Sequence, residues 1–482
     1  ANKRLRSQLL IIVAMSPTDR ERYQDERRLT TEAAALHLRG EYAKALVSSR
    51  EAAELNKSLF GEDSASYALA MNNLAAITIN VGDNRQAATL AEKAVQLLTT
   101  SVGEKDQITL TALSNLAFTY QRTQAPAREL ELRQKVVDLS REVYAEGNVP
   151  VGHMISLVEA LWRNGDREKA KDLLAQQVDR IHKDLADHIA DPRNEAAVFD
   201  AVATIAVQEG DLAMASSAAR TSALAAAKAN GAESTPFAAS AGDVATIYLL
   251  MGDMERAEPL ARECVRILEK TVGPDHPIFV SSQTLLTRIH IYRGEFDKAK
   301  VLLDHAISVS QKAYGDQHLV TSGYREMLAL MYLQNNQPAE ALPLLTATEQ
   351  TIATTSGDNS SERGDNLQLQ ARGLLMSGDL PAAEAKQREA IRLQGLSEGA
   401  KHVNAANKHQ LLARILAAQS KAAEALTELS TAIDINETFF RDTFTGQSER
   451  QRIETLAARR GSLDWWLSLS AGEQDSTLTY QR

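Results

Sequence analysis

The sequence predicts an all-α fold, a solenoid of about ten helix pairs, and three observations predict it. The first is a tight-turn signature, Gly-acid-x-x-x-Ala, that recurs along the 482 residues with a spacing of 42. It occurs at Gly40-Glu41 with Ala45, Gly82-Asp83 with Ala87, Gly165-Asp166 with Ala170, and Gly210-Asp211 with Ala215. It returns at Gly252-Asp253 with Ala257, Gly294-Glu295 with Ala299, and Gly378-Asp379 with Ala383. Degenerate copies at Gln124, Asn336 and Ser420 fill the gaps, so seven of the nine intervals are 42 and the others are 41 and 45. Regularity of this kind is the mark of a stack of like units. The second observation is a pair of small-residue columns set at fixed distances from the turn. The third is composition: 44% hydrophobic, 24% charged, and Gly plus Pro at only about 7%, which suits a folded helical chain and excludes collagen-like or low-complexity disorder.

Each copy reads as helix, turn, helix. The turn glycine takes the left-handed conformation that ends the first helix. The acid beside it opens the second helix and complements its dipole. Seven residues before the turn stand Ala33, Ala75, Ala117, Ala203, Ala245, Thr287, Ala329, Ala371 and Ala413. Five residues after it stand Ala45, Ala87, Ala170, Ala215, Ala257, Ala299, Ala341, Ala383 and Ala425. Small side chains at the same place on both helices let the two axes approach closely. A third small position, twelve after the turn, holds Ala52, Ala94, Ala306, Ala390 and Ala432. The copies between Trp162 and Ala229 are Ala-rich and depart most from the pattern.

This pattern resembles the tetratricopeptide repeat (TPR), in the 42-residue form of kinesin light chains. The segment Met71-Asn72-Asn73-Leu74-Ala75 is similar to that family's first-helix signature. The loops Phe60-Gly61-Glu62-Asp63, Val102-Gly103-Glu104, Val272-Gly273-Pro274-Asp275-His276-Pro277 and Tyr314-Gly315-Asp316-Gln317-His318 are similar to its inter-repeat loops. The resemblance spans about residues 26–445 and implies a right-handed superhelix whose first helices line a concave, partner-binding face. Residues 1–25 are expected to form a capping helix, because a terminal repeat stacks on one neighbour only.

Residues 446–482 form the other end, expected to begin with a capping helix over 446–470. Ser448-Glu449-Arg450-Gln451-Arg452 leads to Arg460-Gly461-Ser462-Leu463-Asp464-Trp465-Trp466, with Phe439, Phe440 and Phe444 upstream. Packing of these aromatics on the last repeat is one reading. The stretch also resembles the segment that joins repeats to the caspase-like peptidase in bacterial TPR–CHAT proteins. That resemblance implies a cytoplasmic regulatory array of a cysteine protease whose catalytic His and Cys lie beyond Arg482. A stand-alone adaptor joining two proteins, and the sensing arm of a transcription regulator or NTPase, are the alternatives.

No catalytic constellation stands in the chain itself. There is no phosphate-cradling Gly-x-x-x-x-Gly-Lys-Ser/Thr loop, no His-Glu-x-x-His, and no second Cys to pair or to share a metal. Cys264 falls at the small position twelve after Gly252 and reads as a buried hydrophobe. His276 and His318 occupy equivalent loops and read as turn chemistry. His290 and His305 have no Cys partner nearby in sequence. No cofactor is expected. The longest apolar runs, residues 9–15 and 327–333, are seven residues each, whereas a membrane span needs about 20. The net charge of −10 argues against nucleic acid as a general partner.

Candidate binding residues follow from aligning the copies. Asn73 and Asn115 lie nine before their turns, and amide side chains can hold an extended peptide's backbone through both donor and acceptor. Arg288, Arg372 and Arg414 lie six before theirs, a basic stripe in an acidic protein that suits an acidic or phosphorylated segment. Tyr292, one helical turn beyond Arg288, is placed to line the same groove. The expected partner is a protein or peptide of acidic character.

Overall fold

In the computed structural model, the described residues are 9–123, 125–144, 149–356, 360–397 and 403–443. A short helical stretch over residues 9–14 precedes twenty helices, and the described residues contain no strand. The helices pair across the turns as repeats. Repeat 1 is α1 (Pro17–Leu38) and α2 (Tyr42–Phe60), and repeat 2 is α3 (Ala65–Asn80) and α4 (Asn84–Val102). Next come α5 (Gln107–Arg122) with α6 (Pro126–Val143), α7 (Val151–Arg163) with α8 (Arg167–Ala186), and α9 (Pro192–Glu209) with α10 (Leu212–Asn230). Repeats 6 to 8 are α11 (Thr235–Leu250) with α12 (Met254–Val272), α13 (Pro277–Tyr292) with α14 (Phe296–Tyr314), and α15 (Leu319–Gln334) with α16 (Pro338–Ser356). The last two are α17 (Ser361–Ser377) with α18 (Leu380–Ser397), and α19 (Val403–Ala418) with α20 (Ala422–Thr443).

The turn chemistry expected from the sequence is present and extends to copies that lack glycine. Gly40, Gly82, Gly165, Gly210, Gly252, Gly294 and Gly378 all have positive φ, between 72° and 89°. Asn336 and Ser420 adopt the same region at 56° and 64°. The reason is the hydrogen bond that closes the motif. The amide after the turn residue bonds the carbonyl five residues back: Asp253 to Tyr248 at 2.8 Å, Gln337 to Tyr332 at 2.8 Å, Lys421 to Leu416 at 2.9 Å. This is the longer bond of a Schellman cap, and it satisfies carbonyls the helix end leaves free. The following acid then caps the second helix in some copies only: Asp83 accepts from Gln86 N–H at 2.9 Å and Asp253 from Arg256 N–H at 3.0 Å, whereas Glu41 and Asp166 make no such bond.

The small columns are the contact surfaces. The residues five after the turn, from Ala45 to Ala425, are all at most 1% exposed, and those seven before it at most 4%. Around them larger apolar side chains interlock helix pairs with the next repeat. Ala33 and Leu36 of α1, Ala45 of α2 and Ile77 of α3 form one such cluster. Leu412, Ala413, Leu416, Ala425, Leu429 and Ile433 form another in repeat 10.

At the N-terminal end of the described residues, α1 runs unbroken through residue 25. Ser16 and Pro17 mark its start: the Ser16 side chain accepts from Asp19 N–H, and proline suits the first helical turn. The segment 446–482 lies outside the described residues, as does the turn residue Gln124.

By contacts the chain divides into two compact units. Unit 1 comprises Ala1–Val207, Leu212–Leu285 and Val309–Gly315; unit 2 comprises Gln208–Asp211, Leu286–Ser308 and Asp316–Arg482. Among the described residues no helix is long and apolar enough to cross a membrane.

Candidate functional site

In unit 2, the basic stripe lies on first helices: Arg288 and Tyr292 on α13, Arg372 on α17 and Arg414 on α19. Arg288 and Arg372 are half-buried, Arg414 is exposed, and Tyr292 is 59% exposed. The structure brings two of the three arginines into each other's field. Burial first, and then the Arg414 charge, push the Arg372 guanidinium below its usual pKa. None of the three has a carboxylate within ion-pair distance among the described residues. That sets them apart from neighbouring cations of this unit. Arg363 and Lys386 both contact Glu349, at 3.0 Å each, and Arg388 and Lys421 both contact Glu384, at 2.8 and 2.9 Å. The Arg372–Arg414 pair is an un-neutralised positive patch, the condition under which a guanidinium fork gains most from an added carboxylate or phosphate.

In unit 1, the two asparagines of the column have different surroundings. Asn115 donates its amide to Asn72 Oδ1 at 3.1 Å. Its repeat-2 partner is thus Asn72, which is buried, and not Asn73, which is exposed. The hydrogen bond ties α3 to α5 and occupies one Asn115 donor. Asn73 is left on the solvent face of α3. A residue ten before the turn on one repeat faces one nine before the turn on the next, which linear alignment does not reveal.

Sequence reasoning missed a set of acids on the same class of helix. Glu159 of α7, Asp200 of α9 and Asp243 of α11 stand at different offsets from their turns, so no column signals them. Asp200 and Asp243 are reached by solvent, yet the surrounding helices partly desolvate them. Burial pushes the Asp243 carboxyl up to about 6, with Asp200 adding to it. Burial likewise raises Asp200, and it raises Glu159, where Asp200 again contributes. In unit 2 burial pushes Glu326 of α15 up to about 7, against the hydrogen bond it accepts from Asn366 Nδ2 at 2.7 Å.

The remaining polar candidates are structural. Cys264 is 3% exposed, and burial followed by the Asp243 charge pushes its thiol up to about 11, which removes the thiolate that reactivity needs. His276 and His318 each accept a backbone N–H at Nδ1, from Ile278 and Val320 at 3.1 Å; they cap α13 and α15. His290 Nδ1 contacts Glu295 Oε2 at 2.5 Å across its own turn. Among the described residues no three His, Cys, Asp or Glu side chains are grouped to hold a metal.

Comparison with known proteins bears on the repeats. Two sequence models of the tetratricopeptide repeat match, one over residues 236–310 and one over residues 68–107 and 109–148. No curated protein matches the sequence. Among solved structures, a Rap protein complexed with competence and sporulation factor is similar at 13% identity, over 77% of this chain and 98% of that one, with a TM-score of 0.50. The nearly identical TPR-like repeats of a kinesin light chain from Podosopora anserina match at 24% identity, over 41% and 93%, with a TM-score of 0.36. A human IFIT1 dimer with m7Gppp-AAAA matches at 13% identity, over 87% and 88%, with a TM-score of 0.47.

Proposed function

We propose that this tetratricopeptide-repeat array is a sensing scaffold that holds an acidic or phosphorylated segment of a protein partner on its first-helix face, with Arg372 and Arg414 as the anchor. The observation that carries the proposal is that, among the described residues, these two arginines have no carboxylate at ion-pair distance, while Arg363, Lys386, Arg388 and Lys421 of the same unit are ion-paired. A carboxylate or phosphate placed between them relieves their mutual repulsion and supplies the missing acceptor in one step. Arg288 extends the same column, and Tyr292 offers an exposed aromatic wall beside it. The finer part of the reading is that the array regulates a caspase-like peptidase of the CHAT type in the same polypeptide. What supports that part is the run from Ser448 to Trp466, similar to the linker of that family.

Two measurements test it. Fluorescence anisotropy with a panel of phosphoserine and Asp/Glu-rich peptides is expected to find a binder whose affinity falls at least tenfold in Arg372→Glu/Arg414→Glu, and which weakens with salt. Equal affinity in the double variant for every binder in the panel sinks the anionic anchor. For the regulatory part, peptidase activity of the full parent polypeptide is compared with and without that binder; unchanged activity leaves a scaffold with no role in protease control.

A further inference from the structure

Within unit 1, one contact bridges residues 238 apart in sequence: His276 Nε2 to the backbone carbonyl of Leu38, at 3.0 Å. Leu38 ends α1, where carbonyls have no intrahelical partner. The opposite ring nitrogen, Nδ1, accepts the Ile278 N–H at 3.1 Å. Nδ1 must therefore be bare and Nε2 must carry the proton, so one neutral imidazole caps two helices at once, the end of α1 and the start of α13. Around it the turn of repeat 1 is packed on repeat 7. A Cβ built on Gly40 would stand 2.3 Å from Pro277 Cδ, so this glycine is demanded by a close approach as well as by its φ of 72°. The Tyr42 and Tyr314 rings stack with centroids 5.2 Å apart. His37 packs edge-on against Tyr42 at 5.4 Å, and its Nδ1 is buried without a hydrogen-bond partner.

We propose that the first repeat is a releasable latch on the seventh, closed through His276 and opened when His37, whose buried Nδ1 has no partner in the seam, takes up a proton. A proton on His37 places a positive charge in this half-buried seam, beside an imidazole whose one N–H is already committed to the Leu38 carbonyl. The groups that face the pair are Arg39 and Glu41 of the turn, ion-paired at 3.1 Å, and Lys44 and Tyr42 of α2, with Lys44 on Glu41 at 2.6 Å. From the other side it is Tyr314 of α14, stacked on Tyr42. Glu41 is thus already engaged by two cations. Burial, and after it the His276 charge, hold His37 below its usual pKa. The closed seam binds protons less well than the open one, so closure is fully present above the ordinary histidine range of about 6.5 and is lost as the pH falls below it. Closure holds the turn of repeat 1 against the start of α13 and the last residue of α14, all within unit 1.

The test uses spin labels on the full chain at Val47→Cys and Lys312→Cys, exposed positions outside the seam; buried Cys264, its thiol far from ionised at neutral pH, does not compete for label. Electron–electron distance measurements at pH 8 and pH 5 are expected to show one short population that gives way to longer, broader distances in acid. His276→Ala is expected to lose the short population at pH 8. His37→Gln, which keeps a polar side chain there but does not titrate, is expected to retain it at pH 5. Distances that do not change with pH, a His276→Ala chain that stays closed, or a loss of far-UV helicity that accompanies the acid shift would each overturn the latch.

Discussion

At the scale of the residue, one backbone conformation recurs at every described turn, and glycine is only its easiest occupant. Asn336 and Ser420 hold positive φ at 56° and 64° because the Schellman bond and the packed helices on both sides over-determine the turn. A left-handed L-residue costs roughly 1–2 kcal/mol, so Ser420→Gly is expected to stabilise the chain by up to about 1 kcal/mol, and Gly252→Ala to destabilise it by a similar amount. Gly252 has open space around its missing Cβ, so its penalty is conformational alone; denaturant titration of both variants measures it. The alanine columns are a packing constraint of a different kind. Ala383 is 0% exposed, and its replacement by Leu forces two helices apart, with an expected loss of about 1–3 kcal/mol or more. A Tm unchanged in Ala383→Leu would mean the column is not a contact surface. These features were legible in the sequence because each belongs to a position repeated along the chain. The pairing of Asn115 with Asn72 was not, since it joins two different positions on neighbouring repeats.

At the scale of the element, the first helices carry the groups whose charge state is least settled. Glu326 sits on α15 with its carboxyl pushed up to about 7 by burial. Its folded-state pKa is raised, so the folded chain binds more protons than the unfolded one between the ordinary glutamate pKa and about 7. Stability at this site therefore rises as the pH falls through that window and is reduced above it. Glu326→Gln keeps an acceptor for Asn366 and removes the charge. It is expected to stabilise the chain by on the order of 1 kcal/mol at pH 8 and to change little at pH 4, read from denaturation curves at the two pH values. The acids Glu159, Asp200 and Asp243 obey the same logic in unit 1. Their grouping was illegible because it depends on which faces of consecutive helices turn toward each other. The arginine stripe was legible as a column, but the missing counter-ions that give it meaning required the side chains of α17 to α20 in place.

At the scale of the whole molecule, stability is built from neighbours. The apolar clusters join a helix pair to the next repeat, as when Ala75 and Ala91 of repeat 2 meet Leu116 of repeat 3. Stacks of this kind respond to damage locally. Leu116→Ala opens a cavity worth roughly 2–5 kcal/mol and is expected to raise amide hydrogen exchange in repeats 2 and 3 while α17 to α20 keep their protection; uniform loss of protection would show a single cooperative unit instead. By itself the sequence determined the repeat, its helix–turn–helix form and its small-residue interfaces, because these are local and periodic: hydrogen bonds within a turn and contacts between adjacent helices depend on spacing alone. Only the tertiary structure decided that Asn115 answers Asn72, that Arg372 lies in the field of Arg414 with no carboxylate at ion-pair distance among the described residues, and that His276 closes on Leu38. Those contacts span 42 to 238 residues, and the small rotation each repeat adds to the last decides which distant surfaces meet.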